Sequence, residues 1–194
     1  QDEITYYAGY LFRHFLVEAG FDFQGGVGLE PVTSQDHRVM AYRSIFTLDQ
    51  IVARMLEYSN NFIANQVFMR VGAQQYGAPG TLEKGVRAAK AYAVNELGLN
   101  RVVITEGSGI SRANRITARD MLKVVTAFNP YHALMKKKGR LFYKTGHLRG
   151  IRTQVGFYQN REDALYPYAI LLNTPGKSMH PVAKQLGQAL GDGD

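Results

Sequence analysis

Two short motifs hold the side chains best suited to chemistry. The first, Ser59-Asn60-Asn61, lies at a polar break between two apolar helical stretches, where a hydroxyl and an amide can project together into a cleft. The second, Lys144-Thr145-Gly146, ends a predicted strand, where a glycine allows a ligand to approach the backbone closely. Each motif also has a purely structural interpretation, because Ser and Asn are good helix caps and a lysine at a strand exit is an ordinary surface residue.

The elements that would position these motifs are helices first and strands last. A capping box from Thr47 to Gln50 predicts a helix before the first motif, and Thr117 caps a later one. Helices are predicted at about 4–19, 47–58, 62–71, 80–98, 117–128 and 181–190, and strands at 141–145, 153–158 and 165–172. Short turns between the strands favour antiparallel pairing. The sequence therefore predicts an α+β fold, an antiparallel sheet flanked by helices.

The first helix is predicted to bury one apolar face. Side chains at helical spacing form that face: Ile4, Tyr7, Ala8, Leu11, Phe12, Phe15, Leu16 and Ala19. With 194 residues, the chain is long enough for a single domain, 1–194, around one core.

The charge of +7 at pH 7 has two interpretations. A nucleic acid or another polyanion could be the partner. A generally basic surface is favoured, because the densest run, Lys136-Lys137-Lys138-Gly139-Arg140, has no interleaved aromatic residues and is predicted to be a solvated turn. No nucleic-acid partner is therefore expected.

Neither a metal or cofactor site nor a membrane span is expected. The sequence has no cysteine, and its five histidines show no paired ligand spacing. No apolar run approaches the roughly 20 residues of a membrane span.

Together and in this order, the two motifs resemble the second and third motifs of serine penicillin-binding enzymes. The sequence MLEYSNNFIANQVFMRVG resembles the helix–SNN–helix segment of D-alanyl-D-alanine carboxypeptidases of the penicillin-binding protein 4 type, the class C low-molecular-mass penicillin-binding proteins. Residues 106–114, EGSGISRAN, resemble that family's Asp-Gly-Ser-Gly-Leu-Ser-Arg-x-Asn block, and residues 144–150 resemble its Lys-Thr-Gly-Thr-Leu segment. Glu106 replaces the family's Asp, and His147 replaces its hydroxyl residue.

The resemblance implies a penicillin-binding, β-lactamase-like transpeptidase fold and a role for each motif residue. Ser59 would relay protons to the leaving amine, and Asn61 would hydrogen-bond the substrate amide. Lys144 would supply positive potential, and its Nζ would lie across one cleft from Ser59 Oγ, within hydrogen-bonding or one-water reach. Thr145 would bind the terminal D-Ala carboxylate, Gly146 would let the substrate approach the backbone closely, and the His147 N–H would stabilise the oxyanion. Ser108 is assigned to the substrate-binding group as a turn beside the cleft, with direct catalysis as the less favoured alternative.

The function implied is a serine-type D-Ala-D-Ala carboxypeptidase or endopeptidase of peptidoglycan stem peptides, in the periplasm or outside the cell. β-Lactams would bind once the full site is assembled, and no cofactor or metal is implied. The chain would represent the C-terminal portion of such a domain.

The family's nucleophile motif, Ser-x-x-Lys, is missing from the 194 residues. None of the six serines has Lys three residues later, and Thr81-Leu82-Glu83-Lys84, which has the spacing, is interpreted as a capping turn. An N-terminal segment or a second chain would have to supply the nucleophile. Two alternatives are a non-catalytic module that binds wall peptide or a partner protein and, more distantly, a basic polymer-binding domain.

Overall fold

The computed structural model describes residues 2–189, apart from the side chains of residues 2, 4 and 180. The helices are α1 (Asp2–Glu18), α2 (Leu48–Tyr58), α3 (Asn61–Tyr76), α4 (Leu82–Asn95), α5 (Ala118–Ala127), a 3₁₀ helix (Asn129–Leu134) and α6 (His180–Ala189). The strands are β1 (Lys136–Lys138), β2 (Leu141–Leu148), β3 (Ile151–Gln159) and β4 (Leu165–Leu172). The predicted α+β class is confirmed. The last predicted helix also included Leu190, which lies outside the described residues.

The four strands form one antiparallel sheet in the order β1-β2-β3-β4. Three of them were predicted, and β1 was not, because its three lysines have low strand propensity. All three are exposed on the edge strand, a position where lysine discourages pairing with another chain. The solvated turn predicted for this run is therefore partly wrong: residues 136–138 are paired with β2.

The core of the sheet lies against α5. Phe142 of β2, Phe157 of β3 and Val125 of α5 are buried together. Because side chains alternate along a strand, Lys144 projects from the same face as Phe142, the face that α5 covers. The second motif's lysine therefore leaves the sheet on its helical side.

Local hydrogen bonds set the starts of α2 and α4. Thr47 Oγ1 accepts from Gln50 N at 3.3 Å while Thr47 N donates to Gln50 Oε1 at 2.9 Å, so the predicted capping box is confirmed. Thr81 Oγ1 accepts from Lys84 N at 3.2 Å, which confirms that the Thr81–Lys84 spacing belongs to a helix cap.

The chain divides into two compact units, residues 1–44 and 45–194. In the smaller unit, α1 forms as predicted, but its supposedly buried face is exposed: Tyr7 is 68%, Phe12 58% and Phe15 56% accessible. Periodicity shows that these side chains share one side of a helix, but it does not show whether another surface packs against that side. The assignment of residues 1–194 to a single domain stays a prediction. Among the described residues, no helix has the length and apolarity needed to cross a bilayer.

Candidate functional site

The first motif forms the junction between α2 and α3. Ser59 is the C-cap of α2 and takes the left-handed backbone conformation, φ 50° and ψ 46°, which is unusual for a residue other than glycine. Asn60 is the N-cap of α3, and its Oδ1 accepts from Ile63 N at 3.0 Å. The capping interpretation is thus correct for Asn60, whereas the Ser59 side chain is free to point elsewhere.

Lys144 of β2 contacts this junction. Its Nζ donates a hydrogen bond to Ser59 Oγ and another to Thr145 O, the latter at 2.5 Å. Burial of the ammonium group, followed by repulsion from Lys136, lowers the pKa of Lys144 below the usual lysine value. The structure therefore brings the first and second motifs together as one partly dehydrated hydroxyl–ammonium pair.

Of the other predicted residues, Thr145 contacts this pair through its carbonyl oxygen, and in the described part of the chain none of the rest forms a hydrogen bond with it. Asn61 is the exposed first residue of α3, and Thr145 is exposed on β2. His147 is exposed and opposite Arg152 in the β2–β3 register.

The sheet itself favours glycine at position 146. It pairs with Thr153, and a methyl group placed at Gly146 would overlap Thr153 Oγ1. The sequence suggested that a ligand needs the small residue, whereas the structure gives a reason inside the protein. The two reasons are compatible, since one concerns a cross-strand neighbour and the other the backbone.

Ser108 belongs to a separate network centred on Glu106. The Glu106 carboxylate accepts hydrogen bonds from the Ser108 hydroxyl, from Ser108 N at 2.7 Å, from Gly109 N at 2.8 Å and from Asn114 Nδ2 at 2.7 Å. Burial alone would raise the pKa of Glu106, but these hydrogen bonds outweigh it and lower that pKa. A carboxylate held in this way is a poor base, which favours the structural-turn interpretation of Ser108 over direct catalysis.

Sequence reasoning missed two contacts that attach this network to its surroundings. Asn65 Oδ1 accepts from Gly107 N at 2.9 Å, and Arg112 Nη2 donates to Arg149 O at 2.5 Å. Asn65 follows Asn61 by one helical turn, a spacing visible in the sequence. The target of Arg112 is a backbone carbonyl, which no motif can reveal.

The site offers a hydroxyl, an ammonium group and an amide within one region, a set suited to binding and protonating an amide-containing anion. Across residues 2–189, no three His, Cys, Asp or Glu side chains gather as a metal site would require. The hydroxyl, ammonium and amide groups of the site can support hydrogen bonding and proton relay.

Comparison with known protein families agrees with this chemistry. Residues 1–137 match the model of the D-Ala-D-Ala carboxypeptidase 3 (S13) family, a range that includes Ser59 and Ser108 but stops before Lys144. A D-alanyl-D-alanine carboxypeptidase of Actinomadura sp. is 34% identical over 121 residues, covering 60% of this chain and 22% of the relative. D-alanyl-D-alanine carboxypeptidase DacB of Haemophilus influenzae is 28% identical over 120 residues, covering 61% and 25%. The chain thus spans about a quarter of the length of these relatives.

Solved structures extend the similarity to the sheet. Penicillin-binding protein 4 of Haemophilus influenzae, complexed with a β-lactam, superimposes with a TM-score of 0.78 at 21% identity over 95% of this chain and 50% of that one. A predatory endopeptidase of Bdellovibrio bacteriovorus, in complex with its immunity protein, gives a TM-score of 0.59 at 22% identity over 75% and 43%. The fold is therefore that of the penicillin-binding proteins, including the strand that holds Lys144.

Proposed function

Because this chain belongs to the D-Ala-D-Ala carboxypeptidase 3 (S13) family, we propose that it forms the Ser-x-Asn and Lys-Thr-Gly half of a serine-type D-Ala-D-Ala carboxypeptidase or endopeptidase site. The substrate would be a peptidoglycan stem peptide ending in D-Ala-D-Ala. The observation that carries the proposal is the hydrogen bond from Lys144 Nζ to Ser59 Oγ, which joins the two motifs.

In the proposed reaction, a serine outside these two motifs attacks the carbonyl of the penultimate D-Ala. The serine's hydroxyl proton passes to the lysine of its own Ser-x-x-Lys motif, the bond from that carbonyl carbon to the terminal nitrogen breaks, and the departing amine must gain that proton. Ser59 would pass that proton to the amine, because Lys144 Nζ donates to the Ser59 oxygen and leaves the hydroxyl hydrogen free to point at the substrate. Water then hydrolyses the acyl group from the serine.

The other motif residues bind and orient the substrate in this proposal. Asn61 can donate to and accept from the stem-peptide amide. Thr145 and Gly146 receive the terminal carboxylate beside the Lys144 charge, and the His147 N–H stabilises the oxyanion. Ser108 shapes the rim of the cleft through the Glu106 network.

The proposal extends to place and organisation. Since peptidoglycan lies outside the cytoplasmic membrane, the protein would act in the periplasm or at the cell surface. Residues 1–194 would form the C-terminal portion of one penicillin-binding domain, with the nucleophile supplied by another segment or chain. β-Lactams would bind to that completed site.

A second candidate function is non-catalytic binding of wall peptide. It is favoured by one observation, that none of the six serines in the 194 residues is followed by Lys at the third position. Both candidates share the binding site, so binding and acylation must be measured separately.

Binding is tested by titrating the chain with an acetylated peptide ending in D-Ala-D-Ala while following its NMR spectrum. We expect shifts at Ser59, Lys144 and Thr145, and none with the matched peptide ending in L-Ala-L-Ala. Equal responses to the two peptides, or responses confined to other regions, would contradict the proposed site.

Acylation is tested with a labelled penicillin and mass spectrometry. We expect no stoichiometric adduct on these 194 residues alone. An adduct mapped to Ser59 or Ser108 would show that the assignment of these serines to relay and binding roles is wrong.

A further inference from the structure

The loop of residues 105–114 contacts both walls of the Ser59–Lys144 cleft. On one side is the α2–α3 wall, which contains Ser59, and on the other is the β2–β3 hairpin, which contains Lys144. The proposed function gives this loop only a place at the rim. Its hydrogen bonds indicate a more specific role.

The attachment to the α3 wall combines a hydrogen bond with close packing. Gly107 N donates to Asn65 Oδ1 at 2.9 Å, and a methyl group placed at Gly107 would lie 2.7 Å from Phe68 Cβ. Asn65 and Phe68 lie one and two turns after Asn61 on α3. The loop is therefore fixed to the same helix that begins at the first motif.

The attachment to the sheet is a single cationic hydrogen bond. Arg112 Nη2 donates to Arg149 O at 2.5 Å, and Arg149 directly follows β2, the strand of Lys144. A guanidinium donor makes a stronger bond than a neutral one. Displacing the loop by about 1 Å would therefore pull on the end of β2 or break this bond.

Between the two attachments, Glu106 determines the shape of the loop. Its carboxylate binds the backbone N–H groups of Ser108, Gly109 and Ser111 as well as the Asn114 amide. Asn114 Oδ1 in turn accepts from Thr105 N at 2.7 Å, which closes the base of the loop. One carboxylate thus binds the backbone at the tip of the loop and the asparagine that closes its base, and in this way it fixes the conformation of the loop.

From these contacts we infer that Glu106 is a positioning residue for the cleft: through the 105–114 loop and Arg112, it holds the strand of Lys144 at contact distance from Ser59. The role of the cleft as a substrate site rests on the proposed function. The role of Glu106 in holding Lys144 close to Ser59 does not rest on the proposed function, so that role can be tested without a substrate.

The test compares Glu106→Gln and Arg112→Met with two matched controls. In Glu106→Gln, an amide N–H₂ group would face the N–H groups that donate to the Glu106 carboxylate. In Arg112→Met, the aliphatic bulk of Arg is kept without its donors. The controls are Glu162→Gln and Arg119→Met, which make the same chemical changes at exposed positions outside the loop. Glu106→Asp serves as the conservative variant, because it keeps the charge with a shorter reach.

The first readout is the NMR titration of the Lys144 side chain in the free protein. Loss of the loop's hydrogen bonds should separate Lys144 from Ser59 and rehydrate the ammonium group. The pKa of Lys144 should therefore rise towards the usual lysine value in Glu106→Gln and Arg112→Met. Both controls should titrate as the wild type does, and Glu106→Asp should lie nearer to the wild type than Glu106→Gln. If Glu106→Gln does not fold, the exposed Arg112→Met variant decides.

The second readout is the dissociation constant of the D-Ala-D-Ala peptide, which should increase about tenfold in the two loop variants. An unchanged Lys144 titration in both variants, with peptide binding intact, overturns the positioning role and leaves the proposed function standing. A shifted Lys144 titration in a protein that binds no D-Ala-D-Ala peptide supports the positioning role and contradicts the proposed function.

Discussion

Lys144 donates a hydrogen bond to Ser59 although the two residues are 85 positions apart in the chain. Ser59 accepts it from a left-handed backbone position at the end of α2. Such a conformation is costly for a residue with a side chain, by about 1–2 kcal/mol. The hydroxyl is thus presented to Lys144 at the expense of local stability.

We therefore expect a stability difference between two variants that both lack the hydroxyl. Ser59→Ala keeps a side chain in the left-handed conformation, whereas Ser59→Gly relieves it. The unfolding free energy of the Gly variant should exceed that of the Ala variant by about 1 kcal/mol in denaturant titrations. An Ala variant as stable as the Gly variant would show that Ser59 is not strained.

A second prediction concerns the charge of Lys136 on the edge strand. Its repulsion contributes, after burial, to the lowered pKa of Lys144. Replacing it in Lys136→Met should raise the pKa of Lys144 towards the usual value, measured by NMR titration. Lys138→Met is the control, because it removes a lysine from the same strand at the position opposite Leu141. Equal shifts in the two variants would mean that net charge, not proximity, controls Lys144.

A third prediction concerns acid stability. The pKa of Glu106 is lowered in the folded chain, so its ionised form stabilises the fold above the usual glutamate pKa of about 4.3. That contribution should disappear as the pH falls through the lowered pKa. The gap in unfolding free energy between the wild type and Glu106→Gln should therefore be largest near pH 7 and shrink below about pH 4.

The control for this measurement is Glu162→Gln. Its difference in unfolding free energy from the wild type should stay small at every pH. Urea unfolding at closely spaced pH values provides the comparison. A gap for Glu106→Gln that is constant from pH 7 to pH 3 would contradict the ionic contribution and assign the whole effect to side-chain shape.

A fourth prediction separates the two reasons for Gly146. Gly146→Ala should destabilise the fold by about 1–3 kcal/mol, because its methyl group would overlap Thr153 Oγ1. Adding Thr153→Ala should recover part of that loss, which a thermal or urea double-mutant cycle would measure. If stability returns while peptide binding does not, the ligand also needs the glycine. No recovery of stability would show that the overlap with Thr153 is not the cause.

The sequence was sufficient for the α-helices, for three of the four strands in the described part of the chain, and for the meeting of the two motifs. Periodicity and caps predicted the helices, and the contact of Ser59 with Lys144, expected from their motifs, is confirmed. The roles assigned to Asn61, Thr145, His147 and Ser108 stay predictions. Strand β1 was missed because edge lysines do not show strand periodicity, and the exposed face of α1 was wrongly predicted as buried.

What the sequence could not provide were contacts directed at the backbone. Arg112 binds a carbonyl of Arg149, and Glu106 binds amide N–H groups, so neither partner is identifiable by residue type. These bonds depend on the path of the loop in space. The Asn61–Asn65 spacing was the one signal available for this part of the site.

The exposed lysines of β1 also affect how copies of the protein meet in solution. Lys136, Lys137 and Lys138 are exposed on β1, an edge strand among the described residues, so a second edge strand approaching there would meet like charge. Counterions weaken this repulsion, which at 1 M salt extends only about 3 Å. Concentrated salt therefore removes a barrier to intermolecular strand pairing, and dilute buffers preserve it during purification.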